Sequence, residues 1–300
     1  MISEVKSKQF LTNTPPPHKE QPYPIVDPEL PKLFPCACFC GGVSSGKTSQ
    51  CARLITKYLE LGAKDHATKK QIFQRVVLFS PSIDSNPVWS AIPEQNLVKL
   101  DRINGYSDSR LEELQAEIKQ ERRLFEQYNK ELKLFRHCMK SLKRGHTLSP
   151  QMANWLERLD FQPPHPQCVH PEGQIVHLII DDCVGQDCFR AQGKSPFTTF
   201  ALARRHLGAC IYICSQSIKQ IPKRVRQSCS MYALFKYASA DVLAKDFYPE
   251  VSNLVTEEDF RALYLHAVKE RHDFLLIDLS QEPNRIFRKG WTLYLNLHTD

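Results

Sequence analysis

The chain has 300 residues, of which 42% are hydrophobic and 24% charged, with a formal net charge of +7. This composition excludes a disordered chain, which would be poorer in aromatic and β-branched residues, and no uninterrupted apolar run approaches the ~20 residues that a membrane helix needs. The small positive excess tilts the expected partners toward polyanions, nucleic acid among them, without requiring one.

The first eight residues, from Met1 to Lys8, lack the apolar centre of a signal peptide. The eleven cysteines therefore read as buried free thiols of a reducing compartment, cytosol or nucleus, and not as a disulfide framework. Eight prolines crowd 13–35 (Pro15, Pro16, Pro17, Pro22, Pro24, Pro28, Pro31, Pro35). Because proline fixes φ and removes a donor, 1–34 is expected to be an arm, either an inert tail or a segment that docks on a neighbour.

A short apolar strand is expected over 35–41, and a helix over 47–61 with Leu54, Ile55, Tyr58 and Leu59 at helical spacing. Cys36, Cys38 and Cys40 alternate along that strand and share one face. An extended chain lines them up in a row, where a metal needs convergence, so they read as small core residues. Between strand and helix stands Gly41-Gly42-Val43-Ser44-Ser45-Gly46-Lys47-Thr48, a full match to G-x-x-x-x-G-K-[ST] in the context that the motif requires. Glycines let the backbone curl around phosphates so that N–H groups and the helix N-terminus face negative charge. Lys47 adds a positive charge at the β and γ phosphates, and the Thr48 hydroxyl is placed to ligate Mg²⁺. The expected ATP-binding segment runs through Ser49.

Further strands are expected over 75–80 and, more weakly, over 97–100. From 109 to 142 neither proline nor glycine occurs. Leu111, Ile118, Phe125, Leu132 and Met139 recur every seventh residue, and Leu114, Glu121, Tyr128, Phe135 and Leu142 fill the matching d positions, with only Glu121 polar. The spacing predicts one long amphipathic helix, packed on its own domain or used as an intersubunit coiled coil or nucleic-acid arm. With its flanks it forms a helical insertion at about 106–165 in a domain spanning 35–300. The loop after it holds His165, Cys168 and His170, too few to complete a metal site on their own.

The strand expected over 175–180 ends in Asp181-Asp182, and such a strand delivers carboxylates to the sheet edge where α/β ligands bind. Asp181 is assigned to Mg²⁺ and Asp182 to orienting the attacking water. A strand over 209–214 runs into Ser215-Gln216, which places Gln216 at the same edge, able to sense the γ-phosphate or hold the water. The run Lys219, Lys223, Arg224 and Arg226 is basic without interleaved aromatics, as suits phosphate contacts and not base stacking. Strands over 231–235, 274–277 and 291–297 and a helix over 257–269 complete the reading. Strands alternating with helices indicate an α/β fold with a largely parallel central sheet flanked by helices.

The order of phosphate loop, strand ending in Asp-Asp, and Arg205 followed eleven positions later by Gln216 resembles the FtsK/HerA superfamily of DNA-pumping ATPases. Within it, 200–216, Ile221-Pro222-Lys223-Arg224-Val225-Arg226 and 273–291 are most similar to the genome-packaging ATPases of poxviruses, giant viruses, virophages and Maverick-type transposons. The resemblance covers about 35–291 and implies a RecA-like P-loop NTPase of the additional-strand type. It also implies an ATP-driven translocase of double-stranded DNA acting as a pentameric or hexameric ring, with capsid portal or vertex proteins as partners, at a viral assembly site in host cytoplasm or nucleus. It makes Arg205 the arginine finger inserted into the neighbouring subunit's site, with Arg204 as the alternative. Many members carry Glu where Asp182 stands. Two other classes fit a phosphate loop, a nucleotide kinase and a nucleotide-regulated interaction protein; a kinase has no need of Gln216 at a strand tip.

Overall fold

The computed structural model describes residues 24–28, 30–66, 68–92, 97–183, 185–190, 195–237 and 239–297. Most of the expected arm lies outside them. Its described end packs on the domain: Ile25 pairs with Lys64 through the backbone, and the Tyr58 hydroxyl donates to the Pro31 carbonyl at 2.6 Å.

In chain order, β1 (Cys36–Cys40) leads through the glycine-rich turn into α1 (Lys47–Leu61), followed by β2 (Phe73–Ser80), the one-turn helix α2 (Pro87–Ser90) and β3 (Val98–Asn104). Two helices, α3 (Asp108–Lys143) and α4 (Pro150–Arg158), precede β4 (Gln174–Asp181). Then come α5 (Asp187–Arg190), α6 (Pro196–Leu207), β5 (Ala209–Ser215), α7 (Lys223–Ser228) and β6 (Met231–Phe235). The chain continues with α8 (Ala240–Phe247), α9 (Glu257–Ala267), β7 (Phe274–Asp278), β8 (Phe287–Lys289) and β9 (Leu293–Tyr294).

The strands form one sheet in the order β3-β2-β4-β5-β1-β6-β7-β8-β9. The first six are parallel, and the last three are added antiparallel. β5 stands between the phosphate-loop strand β1 and the strand β4 that carries Asp181, so an additional strand separates the two halves of the site. The fold is thus α/β with a largely parallel sheet. Alternation splits the interior into two layers. Cys36, Cys38 and Cys40 face the layer covered by α3, α6, α7, α8 and α9, and Ala37 and Phe39 face the layer of α1 and α2. Both faces of the central strands are buried, which is why they read as continuous apolar runs. Edge strand β3 alternates between half-buried and exposed positions, and its polar Lys99, Asp101 and Arg102 account for its weak sequence signal.

The heptad helix α3 is capped by the Ser107 hydroxyl and ends with Lys140 and Lys143 in its last turn, as the helix dipole favours. At 36 residues it is ~54 Å long. Only its two ends are deeply buried: Leu111, Leu114 and Ile118 join the main core, and Phe135 and Cys138 pack with Leu156 of α4. The polar d residue has its own task, because Glu121 accepts from the Val169 and His170 amides at 3.1 and 2.7 Å and fastens that loop to the helix. His170 stacks on Phe73 with ring centroids 3.6 Å apart.

The expected strand over 291–297 is corrected. Gly290 takes φ 61° and turns the chain after β8, so the pairing falls to Phe287–Lys289 and Leu293–Tyr294, and Trp291 lies in the turn between them. The helix α4 falls within the expected helical insertion, while α2, α5, α6, α7 and α8 had no counterpart in the sequence expectation.

Candidate active site

The parallel strands β1, β4, β5 and β6 all end at one edge of the sheet, and there the phosphate loop meets the strand-end acids. The loop begins as an extension of the ladder: the Gly41 amide donates to Ser215 and the Gly42 amide to Lys236, at 3.2 and 3.3 Å. A side chain at Gly41 has no room, since a Cβ there would lie 2.5 Å from that of Phe235. Ser44 (φ 57°) and Gly46 (φ 102°) are left-handed, the backbone twist that gathers successive N–H groups toward one point. α1 starts directly at Lys47, and its Gln50 amide donates to the Gly46 carbonyl at 2.9 Å.

Lys47 Nζ donates to the Gly42 carbonyl at 2.9 Å, so the ammonium is folded over its own loop. Thr48 Oγ1 donates to Asp181 Oδ1 at 3.1 Å, joining α1 to the end of β4. The neighbouring strand supplies Gln216, whose amide donates to Asp182 Oδ1 at 3.3 Å. Asp182 holds φ 51°, and its carboxylate is exposed next to the buried Asp181. Burial raises the Asp181 carboxyl above its usual range, opposed by hydrogen bonds from Trp89 and Thr48 and by the Lys47 charge. A buried carboxylate beside a threonine hydroxyl is an all-oxygen donor set of the kind Mg²⁺ takes, and the loop leaves Ser45 Oγ buried with no hydrogen-bond partner among the described residues. The residues present fit both ATP and the metal.

Lys47, Thr48, Asp181, Asp182 and Gln216 are thus brought together. Arg205 is not. It lies exposed at the end of α6, beside the start of β5, and that strand's seven residues span ~23 Å to the edge that carries the phosphate loop. Arg205 instead borders a cavity of about 630 Å³ at the opposite edge, shared with Ile118 and Phe125 of α3 and with His170. Arg204, by contrast, is buried and bonded within the fold. The basic run divides as well. Lys219 pairs with Asp246 at 2.5 Å and Arg226 with Glu250 at 3.3 Å, while Lys223 and Arg224 are exposed.

Two residues at the site were not foreseen. Trp89 Nε1 donates to Asp181 Oδ2 at 2.8 Å from α2. His272, in the turn before β7, donates through Nδ1 to the Ser45 carbonyl at 3.2 Å and lies over Gly46. The available sequence signal is positional: Trp89 stands in the short helix that follows β2 and His272 in the turn that precedes β7, both at strand ends that reach the ligand edge.

No protein-family model matches the chain, and no curated protein matches it. Among solved structures, the chain is similar to B204, the DNA-packaging ATPase of Sulfolobus turreted icosahedral virus, with a TM-score of 0.47 and 13% identity over 89% of this chain and 100% of that one. The corresponding genome-packaging NTPase of Sulfolobus turreted icosahedral virus 2, in complex with ATP-gammaS, gives 0.45 and 13% over 86% and 96%. The pCW3 conjugation coupling protein TcpA, also with ATPgS, gives 0.43 and 12% over 93% and 68%. At these values the likeness is one of outline, and the functional reading rests on the site itself.

Proposed function

We propose that the chain hydrolyses ATP and uses the energy to move double-stranded DNA, as the packaging motor of a virus or virus-like element. The observation that carries this reading is the Thr48–Asp181 hydrogen bond, which joins the phosphate loop to the strand-end acid through two oxygen ligands suited to one metal. Thr48 and Asp181 would hold Mg²⁺, which would supply positive charge to offset that of the phosphates. Gly41 to Ser49 cradle the phosphates, and Lys47 exchanges its Gly42 carbonyl for phosphate oxygens. Asp182 and Gln216, already bridged to each other, hold the attacking water and orient it toward the γ-phosphorus. Asp182 accepts its proton as the bond to the leaving oxygen breaks.

Arg205 is too far from this site to serve it, so as a finger it acts on a neighbouring copy. That requirement supports a ring, pentameric or hexameric, with DNA passing through it. Lys223 and Arg224 are free to contact the phosphate backbone irrespective of sequence; Lys219 and Arg226 would first leave Asp246 and Glu250. A capsid vertex or portal protein completes the reading, at an assembly site in host cytoplasm or nucleus. No helix among the described residues is long and apolar enough to cross a membrane.

The test is the ATPase rate with and without long duplex DNA for the wild type, Lys47→Ala and Arg205→Ala. DNA should stimulate the wild type alone, and mixing the two variants should restore part of the rate. Phosphate transfer to a small acceptor, with no response to DNA, would replace this reading by that of a nucleotide kinase.

A further inference from the structure

The geometry points to Trp89 as a positioning residue for the metal-binding carboxylate, a role that rests on the reading of Asp181 as a Mg²⁺ ligand. Asp181 has both oxygens engaged by donors from two different helices, α1 and α2. Thr48 Oγ1 donates to Oδ1 at 3.1 Å, and Trp89 Nε1 donates to Oδ2 at 2.8 Å. The carboxylate therefore cannot rotate about its Cβ–Cγ bond without giving up a donor. A carboxylate oxygen can accept two hydrogen bonds and each of these accepts one, so both keep a lone pair for a cation or its waters.

The indole is itself held by packing on all sides. Trp89 is fully buried, in the same apolar cluster as Cys51 and Ile55 of α1 and Leu78 of β2. Its one-turn helix is fixed by Pro87 at the first turn and by the Asn86 side chain, which accepts from the Val88 amide at 3.2 Å. An N–H on such a rigid body sets direction as well as energy. Partners of this kind orient a metal ligand and tune its basicity, and their loss costs about 10- to 100-fold in metal affinity. Indole nitrogen only donates, so Trp89 can hold Asp181 but cannot compete with it for the metal.

Trp89→Phe keeps the apolar ring and removes the N–H. Binding of a non-hydrolysable ATP analogue is measured calorimetrically with Mg²⁺ and with a chelator. The variant should bind as the wild type does in chelator, while Mg²⁺ affinity of the nucleotide-loaded chain falls about 10- to 100-fold. A purely structural role would lower both equally or neither, and either result would overturn the proposal. If the wild type itself gains nothing from Mg²⁺, the reading of Asp181 falls, and Trp89 with it. If the wild type gains and Trp89→Phe gains as much, only the role of Trp89 falls.

Should Trp89→Phe fail to fold, the indole N–H resonance of Trp89 decides. It is identified in the wild-type chain by elimination, using Trp155→Phe and Trp291→Phe. It should shift when Mg²⁺ is added to the nucleotide-loaded protein, and an unmoved resonance would overturn the proposal.

Discussion

The Arg204 guanidinium is turned into the fold, where its Nε donates to the Phe34 carbonyl at 3.1 Å and one Nη donates to Ala201 at the same distance. Its neighbour Arg205 faces solvent. Two adjacent arginines that a sequence leaves interchangeable are therefore physically distinct: one is bound into the fold and the other can reach a second molecule.

Arg204→Ala should lower stability by about 1.5–3 kcal/mol, the usual scale for hydrogen bonds made by a charged group, as read from denaturant unfolding. Arg205→Ala should leave the unfolding midpoint unchanged and reduce hydrolysis in the assembled state by ~10³ to 10⁵, the range for a finger supplied in trans. Normal turnover by Arg205→Ala would exclude it from that role. A large loss of turnover in Arg204→Ala with stability intact would transfer the role to Arg204.

Asp182 and Gln216 meet through a 3.3 Å hydrogen bond across β4 and β5, and neither is buried. If they manage the water and not the nucleotide, Asp182→Asn should lower kcat by ~10² to 10⁴, the usual contribution of a positioned base. Nucleotide affinity should stay near the wild type. Gln216→Ala should act in the same direction. Steady-state kinetics with a parallel binding measurement separates the two effects, and a rise in KM at constant kcat would show that Asp182 only binds.

What the sequence reveals here depends on how local the cause is. The phosphate loop is legible because its glycines, Lys47 and Thr48 are contiguous and their conformational demands are fixed by residue type. Asp181 is legible because a buried strand ending in an acid breaks an apolar run. The link between Trp89 and Asp181 is not, since 92 residues separate them and a tryptophan after Asn-Pro-Val announces burial but no partner. Glu121 was visible as the odd polar residue in a heptad series, yet the amides it holds come from a loop 48 residues away. The strand over 291–297 misled because aromatic and β-branched residues favour extension, while Gly290 ends the preceding strand by a left-handed turn.

Gly41 offers a test of the loop that does not depend on chemistry. A Cβ there would meet the Cβ of Phe235 at 2.5 Å and the Phe235 Cα at 3.3 Å, both rooted in β6. Gly41→Ala should therefore push the loop away from the end of β6 and cost about 1–3 kcal/mol, the scale of overpacking. It should also weaken nucleotide binding measured with a fluorescent analogue. Gly42→Ala is the contrast, because its nearest neighbour, the Lys236 carbonyl, lies at an ordinary 3.7 Å. If the two variants bind equally well, the close packing under Gly41 is not what shapes the site.

A buried histidine in the centre of the sheet contributes to the pH response of the fold. His177 on β4 lies fully buried between Tyr212 on β5 and Gln74 on β2, its Nδ1 3.1 Å from the Tyr212 hydroxyl and its Nε2 2.9 Å from Gln74 Oε1. Burial lowers its pKa from 6.5 to about 3. Between those values the unfolded chain binds a proton there that the folded chain does not, so acidification favours unfolding. The contribution is fully present above 6.5 and is lost as pH falls toward 3, at ~1.4 kcal/mol per pH unit, or about 2 kcal/mol between pH 7 and pH 5. Urea unfolding at those two pH values should show this loss in the wild type, and His177→Gln should flatten the dependence by that amount while lowering stability at pH 7. An unchanged slope in the variant would mean that His177 takes up its proton without unfolding, and that the network across β2, β4 and β5 tolerates the charge.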